Sequence, residues 1–355
     1  MVKHKMFARS LVVSLLLVTL FAGIPGLSAQ SDSPKVVKVL TIAMFEVGEM
    51  RGDFAGEAQF WVEGEELDEV IEIPGSWSPV YCNADGHCLV VTGMGIANAA
   101  STVMAVGLSG KLDLSQTYVV VAGIAGIDPH DGTLGSAAWA DWVIDGDLAH
   151  EIDSREIPPE WDYPLLHLGC DAPWCEEGWA AGTEVYQLNT ALVDWAYTLS
   201  KDVELADSEM AQAYRANYPA DWPAAAPPSV VRCDTIAAST YWHGDLLGAW
   251  AEWWASQWSG GQANYCMTEM EDSATLAALS RLASAGLVDL ERVLVLRTAS
   301  NFDRPYPGQT AAESLASDSG GFGPSTRNAY LAGSVVTDYI IANWETWQDG
   351  VPPLP

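Results

Sequence analysis

Short runs of β-branched and apolar residues recur along the chain and predict buried strands. Such runs are typical of strands that are covered on both faces, because neither face then needs polar side chains. A longer alternating segment at 136–147 predicts a further strand. The apolar runs lie at residues 35–44, 87–93, 117–123, 228–235 and 291–300.

Apolar residues at helical spacing occupy much of the chain between these strands. Strands that alternate with helices are typical of α/β proteins, whose ligands bind at the carboxyl ends of the strands. We therefore expect an α/β fold with a mixed, mostly parallel sheet flanked by helices. The predicted helices lie at residues 97–109, 188–200, 206–217, 242–258, 269–286 and 326–344.

Residues 155–228 differ in composition from the rest of the chain. They are rich in Pro, Trp and Ala, and the run PAAAPPS at 223–229 ends the region. Because the α/β alternation resumes directly afterwards, this region is interpreted as a helical insertion or subdomain on an α/β body.

The first 29 residues have the pattern of a secretory signal peptide. A basic start is followed by an apolar run at 11–24 and by a small-residue cleavage site at 27–29. An uncleaved anchor is the alternative. Later apolar runs are shorter than the roughly 20 residues that a membrane span needs. We therefore expect an exported protein, periplasmic or extracellular, in which residues 30–355 form one domain.

The chain is strongly acidic, with 16 Lys and Arg against 47 Asp and Glu and a formal charge of −31. The predicted signal peptide holds three of the basic residues and no acidic ones, so its removal deepens the charge to −34. A field of this sign repels nucleic acid and anionic membranes, and neither is expected as a partner. Its simplest role is to keep an exported protein in solution.

The cysteines favour disulfides over a metal site. An even number, six, in an exported chain indicates a disulfide framework. Close spacing favours Cys82–Cys88 and Cys170–Cys175, which leaves Cys233–Cys266, although fifteen pairings are possible. The spacings lack a pair of CxxC motifs or an HxxxH partner, so no metal is expected.

Glycine combines with polar residues at four predicted strand ends or helix starts. Glycine there lets the backbone approach a ligand and leaves amide hydrogens free to donate. In chain order these segments resemble the nucleoside phosphorylase superfamily, which cleaves the N-glycosidic bond of nucleosides. The segments are MFEVGE (44–49), TGMGIANA (92–99, with Gly93 and Asn98), AGIAGIDP (122–129, with Gly123 and Gly126) and RTASNFDRP (297–305).

A more specific resemblance covers about residues 36–345. The segments that carry it resemble the purine nucleoside permease family of fungi and bacteria. The family name implies transport, whereas the fold it implies is that of a soluble phosphorylase. The segments are GTEVYQLN (182–189), AYRANYP (213–219), PPSVVRCDT (227–235) and RTASNFDRPYPGQ (297–309).

These resemblances imply roles for particular residues. Met270 and Glu271 match the pair that grips the ribose, since a carboxylate can accept from both vicinal hydroxyls. Tyr241, followed by Trp242, matches the aromatic position that stacks on the base. Asn301 matches the position that contacts the purine leaving group, where an amide cannot supply a proton but can hydrogen-bond N7 and O6 together, which favours 6-oxopurines.

Several neighbouring residues have alternative interpretations. Glu269 and Asp272 also suit the first turn of a helix. Asp303 is a second candidate acid, unless it pairs with Arg304. His243 is a candidate contact for the ribose O5′, although a lone histidine is more often structural. The segment of Asp128, His130 and Asp131 is interpreted as a turn, and Ser239 stands where relatives often have Asp.

The nucleophile decides between phosphorolysis and hydrolysis. Arg51 and Arg297 are the only plausible phosphate ligands near the motifs, and Ile124 stands where a phosphate-binding Ser is familiar. Hydrolysis needs only a water and a base, for which Glu46 is the candidate and Glu49 the alternate.

We therefore expect a purine nucleoside hydrolase that needs no cofactor and forms a homo-oligomer by analogy with the fold. A phosphate-dependent phosphorylase and a non-catalytic nucleoside-binding protein for uptake are the alternatives.

Overall fold

The structure, a computed structural model, describes residues 33–354. The predicted signal peptide, residues 1–29, lies outside the described residues. Among the helices of residues 33–354, none combines the length and the apolar character that crossing a membrane requires.

The strands confirm the α/β pattern, with two refinements described below. In chain order they are β1 (Lys35–Val36), β2 (Val39–Ala43), β3 (Glu69–Ile71), β4 (Val80–Cys82), β5 (His87–Val91), β6 (Leu112–Asp113), β7 (Tyr118–Ile127), β8 (Ala137–Trp139), β9 (Trp142–Asp145), β10 (His150–Glu151), β11 (Leu165–Leu166), β12 (Val185–Gln187), β13 (Val230–Arg232), β14 (Asp234–Ala237), β15 (Tyr265–Glu269) and β16 (Val293–Phe302).

The helices flank these strands, and short 3₁₀ turns lie at Pro223–Ala225 and Leu290–Arg292. In chain order they are α1 (Gln59–Gly64), α2 (Ile96–Leu108), α3 (Thr190–Ser200), α4 (Glu209–Arg215), α5 (Asp245–Ser259), α6 (Asp272–Ser284), α7 (Ala311–Leu315), α8 (Phe322–Ala342) and α9 (Trp344–Trp347).

Within the described residues, twelve strands form one mixed sheet in the order β12-β9-β14-β15-β7-β2-β5-β4-β3, with β16 beside β7 and β8 between β16 and β13. Parallel pairs join β5, β2, β7 and β16, and a second parallel set joins β9, β14 and β15. Antiparallel pairs join β15 to β7 and β8 to β16, and they add β3, β4 and β12 at the edges. The expected mixed sheet flanked by helices is confirmed.

The two faces of β2 show why both layers of helices are needed. Leu40 and Ile42 pack with apolar residues of α2 and α6. The intervening Thr41 points the other way and bonds His87, against which Trp61 of α1 packs edge-on. Every residue of β2 is buried, as expected of a strand covered on both faces.

The predicted strands at 136–147 and 228–235 are each divided in two. Arg232 donates to both oxygens of Asp141, and Asp234 accepts from the backbone N–H groups of Asp141 and Trp142. These polar contacts lie at the break in each segment. Before the break β8 pairs with β13, and after it β9 pairs with β14. The hydrophobic alternation continues across the break, so the sequence pattern does not reveal it.

Residues 155–228 hold β11, β12, α3 and α4. The buried face of α3, Leu192 to Ala196, belongs to the main hydrophobic core, and α3 packs against α8. This part of the region therefore contributes to the stability of the α/β body itself.

Three disulfides join the six cysteines: Cys82–Cys88 and Cys170–Cys175, which their spacing favours, and the remaining pair Cys233–Cys266. The Cys233–Cys266 bridge ties the segment between β13 and β14 to β15. It therefore cross-links two adjacent parts of the main sheet.

Candidate functional site

A cavity of about 210 Å³ opens beside the carboxyl ends of β2 and β15 and the last residues of β7. Its position agrees with the expectation that ligands of an open α/β sheet bind near the strand ends. The lining residues are Met44, Phe45, Glu57, Met94, Ile124, Ala125, Gly126, Thr240, Tyr241, Trp242, Thr268, Glu269, Met270, Glu271, Arg297, Ser300 and Asn301.

Arg297 lies at the floor of this cavity and is 1% exposed. Its guanidinium donates to Asp272 at 2.5 Å, to Glu269 at 3.0 Å and to Glu271 at 3.2 Å, and it also donates to the carbonyl oxygen of Ile124. A buried guanidinium needs such partners because its desolvation is costly. Arg297 is thus committed to protein carboxylates.

Glu271 is buried, 4% exposed, and lies at the start of α6. Its Oε1 accepts the backbone N–H of Gly95 at 2.9 Å, and its Oε2 accepts from Arg297. Gly95 has φ of +89°, a conformation that favours glycine. Each carboxylate oxygen has a second lone pair, so Glu271 retains capacity to accept from a ligand hydroxyl.

Glu269 caps α6 and also faces the cavity. Its Oε2 accepts the backbone N–H groups of Glu271 and Asp272 at 2.6 and 2.9 Å. Its Oε1 is buried and has no partner among the described residues. Burial raises the pKa of the Glu269 carboxyl well above its usual range, and the Asp272 and Glu271 carboxylates add to this against the opposing charge of Arg297.

Glu57 is a cavity residue that the sequence analysis missed. It is 1% exposed, and its two oxygens accept the backbone N–H groups of Met44 and Ile124, each at 2.7 Å. Burial raises the pKa of Glu57 to about 7, although Arg297 opposes the shift. It belongs to no recognisable motif, and the only signal for it is an acidic residue just before the apolar start of α1.

Glu46, the expected base, has a different position. Its carboxylate accepts the backbone N–H groups of Val47, Gly56, Ala58 and Gln59, and it does not line the cavity. The side chain therefore closes the loop that carries Glu57.

The two other polar candidates of this loop also lie outside the cavity. Glu49 is exposed, and its backbone N–H donates to Asp53. Arg51 pairs with Asp68 at the surface.

The glycines that the motifs single out act by leaving space. A Cβ on Gly123 would lie 2.7 Å from Arg297 Nη1 and 2.8 Å from Glu57 Oε1. A Cβ on Gly126 would lie 3.0 Å from Asn301 Nδ2. Gly93 and Asn98 lie outside the lining: Gly93, with φ of +80°, is covered by the Trp77 ring, and Asn98 bonds the Met94 carbonyl oxygen.

Tyr241 lines the cavity and is 53% exposed. Trp242 lines the cavity while packing edge-on against Trp250. Both ring nitrogens of His243 are buried without partners among the described residues, and burial lowers the pKa of this side chain. His243 does not line the cavity.

Asn301 is held by contacts with its two neighbours in sequence. Its Nδ2 donates to the Phe302 carbonyl oxygen at 2.9 Å, and its Oδ1 accepts from the Ser300 hydroxyl at 2.9 Å. Parallel pairing of β16 with β7 sets Asn301 beside Gly126, at a register shift after Ala299. The Asn301 amide is therefore held by a strand of the sheet and lines the cavity.

Asp303 lies in a separate buried network. It accepts from the Tyr265 hydroxyl at 2.8 Å and from Arg304 Nε at 2.9 Å, in accord with the alternative that it pairs with Arg304. Arg304 also donates to Asp128, whose pKa burial raises to about 7. Asp128 accepts the backbone N–H of His130, as expected for a turn, and residues 33–354 contain no cluster suited to a metal ion.

Met270, Glu271, Tyr241, Trp242, Gly126 and Asn301 are thus gathered around one cavity. Glu57, Glu269 and Arg297 complete its charged floor.

Comparisons with solved structures identify the fold. The futalosine hydrolase of Helicobacter pylori matches with a TM-score of 0.53 at 13% identity, over 85% of this chain and 98% of that one. The 5′-methylthioadenosine/S-adenosyl homocysteine nucleosidase of the same organism also matches with a TM-score of 0.53 at 13% identity, over 86% of this chain and 99% of that one. The chain therefore has the nucleosidase-like fold that its motifs predict.

Sequence comparisons give a closer relationship. A protein of Schizosaccharomyces pombe described as a "probable purine nucleoside permease" is 33% identical over 87% of this chain and 90% of its own length. The purine nucleoside permease of Candida albicans is 33% identical over 82% of this chain and 74% of its own length. The sequence model of the purine nucleoside permease family matches residues 36–352. The chain belongs to the purine nucleoside permease family.

Proposed function

We propose that this protein binds purine nucleosides in the cavity and hydrolyses their N-glycosidic bond, releasing the free base and ribose. The names of its relatives support the substrate class, and the nucleosidase-like fold supports the reaction class. The three disulfides fit a protein that works in an oxidising, exported location.

The observation that carries the proposal is Glu57. A general base works best when its pKa is near the working pH, and burial places the pKa of Glu57 at about 7. Its carboxylate is fixed by two backbone amides at the cavity wall. In the proposed reaction, Glu57 takes a proton from the attacking water as the water oxygen bonds to C1′ and the bond from C1′ to the base nitrogen breaks. The base leaves with the bonding electron pair and takes up a proton from solvent, and Glu57 later returns its proton to solvent.

The charged floor suits the sugar. Glu271 accepts from the ribose hydroxyls with its remaining lone pairs, and the unpartnered Oε1 of Glu269 offers a second polar contact. Positive charge develops on the sugar as the glycosidic bond breaks, and fixed carboxylates nearby stabilise that charge.

The same floor argues against phosphorolysis. The guanidinium of Arg297, the one cation among the cavity-lining residues, already pairs with Glu269, Glu271 and Asp272. A phosphate anion would therefore find no free cation on this floor, and the carboxylates of Glu271 and Asp272 would repel it. Water, being neutral, meets no such barrier.

A second candidate is binding without turnover, as a component of nucleoside uptake. Asn301 favours it, because the amide can hydrogen-bond a leaving base but cannot protonate it. The relatives described as permeases favour it as well.

Incubation with a purine nucleoside, with and without phosphate, separates these functions. Hydrolysis gives free base and ribose at a rate that phosphate leaves unchanged. Ribose 1-phosphate, formed only with phosphate present, would overturn the proposal in favour of phosphorolysis. Saturable binding with no product would support the uptake role. Glu57→Gln should lower turnover by about 10²–10⁴-fold, and Glu46→Gln is the matched control because its carboxylate lies outside the cavity.

A further inference from the structure

We propose that Asn301 selects 6-aminopurine nucleosides over 6-oxopurine nucleosides, by donating to N7 and accepting from the 6-amino group. This inference rests on the proposed binding of purine nucleosides in the cavity. It reverses the preference that the residue type alone suggests, and the reason lies in how the amide is held.

The Phe302 carbonyl fixes the orientation of the Asn301 amide. Nδ2 lies 2.9 Å from that carbonyl oxygen, as a hydrogen-bond donor. With the amide turned over, two carbonyl oxygens would face each other at this distance with no hydrogen between them. Because the Phe302 carbonyl is backbone, this constraint does not depend on a side-chain rotamer.

The Ser300 hydroxyl is compatible with the same orientation. Its oxygen lies 2.9 Å from Asn301 Oδ1 and 3.2 Å from the Ala125 carbonyl oxygen. A hydroxyl carries a single hydrogen and can also accept, so Ser300 fits this orientation with its hydrogen directed to Asn301 Oδ1. The Phe302 carbonyl, which can only accept, therefore decides the orientation.

These contacts leave a defined set of sites for a ligand. An asparagine amide has two N–H hydrogens and an oxygen with two lone pairs. Phe302 uses one hydrogen and Ser300 uses one lone pair, and the second hydrogen faces the Tyr241 hydroxyl at the cavity. A bound base that replaces Tyr241 as partner therefore meets one donor and one acceptor. The two hydrogens are therefore not both available to a single ligand.

One donor beside one acceptor matches adenine. Adenine presents N7 as an acceptor and the 6-amino group as a donor along the same edge, and asparagine pairs with both. A 6-oxopurine presents two acceptors there, N7 and O6. Binding it would set O6 against Oδ1 or would break the bond to the Phe302 carbonyl.

Nucleoside analogues test each half of this contact. Dissociation constants would be measured by titration calorimetry with the Glu57→Gln protein, in which turnover is blocked, for adenosine, inosine, purine riboside and 7-deazaadenosine. We expect adenosine to bind at least tenfold more tightly than inosine. Purine riboside, which lacks the 6-amino group, and 7-deazaadenosine, which lacks N7, should each bind more weakly than adenosine.

The residue is tested by adding Asn301→Ala to the same protein. The ratio of inosine to adenosine dissociation constants should fall toward one, because the donor and the acceptor are lost together. A ratio unchanged by Asn301→Ala, or inosine binding as tightly as adenosine before the change, would overturn the inference.

Turnover of adenosine and inosine by the unsubstituted protein separates this inference from the proposed function. If adenosine is preferred in binding and neither nucleoside is cleaved, the hydrolysis fails and the base preference stands. If inosine is cleaved with the higher kcat/KM and bound more tightly, the hydrolysis stands and the base preference fails. Absence of binding by both nucleosides would overturn both proposals.

Discussion

Glu57 and Arg297 approach each other across Gly123, where the missing side chain leaves room for both. A Cβ at Gly123 would lie 2.8 Å from Glu57 Oε1 and 2.7 Å from Arg297 Nη1. The neighbouring Ile124 then bonds both residues, with its N–H to Glu57 and its carbonyl oxygen to Arg297. A single residue of β7, Ile124, thus positions both the proposed base, Glu57, and the buried cation, Arg297.

Gly123→Ala should damage this arrangement. The added methyl group must displace Glu57 or Arg297, and overpacking of this kind costs about 1–3 kcal/mol. We expect a lower free energy of unfolding by denaturant and a loss of nucleoside turnover. Gly323→Ala is the matched control, because a Cβ there meets nothing within 4 Å and the residue lies in α8. Equal behaviour of the two variants would contradict the close approach.

Glu57→Gln should lower kcat by about 10²–10⁴-fold, the usual contribution of a general base. In the unsubstituted protein, kcat should rise with pH through about 7, because only the ionised carboxylate accepts a proton. Stopped assays of released base across pH 5–9 measure both effects. A pH profile that is the same in Glu57→Gln and in the unsubstituted protein would assign the base elsewhere.

Glu46→Gln should act on the loop instead. The amide keeps one acceptor oxygen, whereas the carboxylate uses both for backbone N–H groups. We expect faster proteolysis near residues 47–55, together with a smaller change in kcat than Glu57→Gln causes. The opposite order of the two kcat values would restore Glu46 as the base.

Glu57 should also make stability depend on pH. Its pKa is raised from 4.5 to about 7 in the folded protein, so the folded state holds this proton more tightly than the unfolded state. The resulting stabilisation is fully present below about 4.5 and is lost as the pH rises through about 7, with a size of about 3 kcal/mol. The free energy of unfolding in urea should fall from pH 5 to pH 8 in the unsubstituted protein and should fall less in Glu57→Gln. An equal fall in the two proteins would contradict this prediction.

Arg297→Gln should be strongly destabilising. Removing one partner of a buried ion pair leaves uncompensated charge and costs about 3–5 kcal/mol. Here three carboxylates lose their shared cation. Arg51→Gln is the control, because Arg51 pairs with Asp68 at the surface, where ion pairs contribute little. Chemical denaturation of both variants makes the comparison, and a stable Arg297→Gln protein would mean that the carboxylates are already neutral.

The sequence predicts the sheet better than it predicts the floor of the cavity. Apolar runs and helical periodicity depend on local composition, and they correctly give β2, β5, β7 and β16. The family motifs bring Glu271, Tyr241 and Asn301 to one cavity. The divisions between β8 and β9 and between β13 and β14 are not predicted. They are accompanied by polar contacts of Asp234 and Arg232 with Asp141, which join segments far apart in the chain.

Glu57 escapes prediction for a related reason. Glu46 follows β2 directly and is the natural choice by motif, but its oxygens are used by the loop's own backbone. Glu57 lies eleven positions later and reaches the cavity only because the loop returns to β2. Likewise, the burial of Arg297 among three carboxylates is a property of packing, which its motif does not contain.

The Glu46 carboxylate accepts the backbone N–H groups of Gly56, Ala58 and Gln59 and so joins the two ends of this loop. The position of Glu57 therefore does not depend on the length of the loop between them. The intervening residues at 47–54 are mostly exposed and form no helix or strand. Residues could therefore be inserted or deleted there without moving the Glu57 carboxylate. For the proposed base at position 57, spacing along the polypeptide is therefore a poor guide to its place in the fold, and the contacts of Glu46 with the loop backbone are the feature to search for.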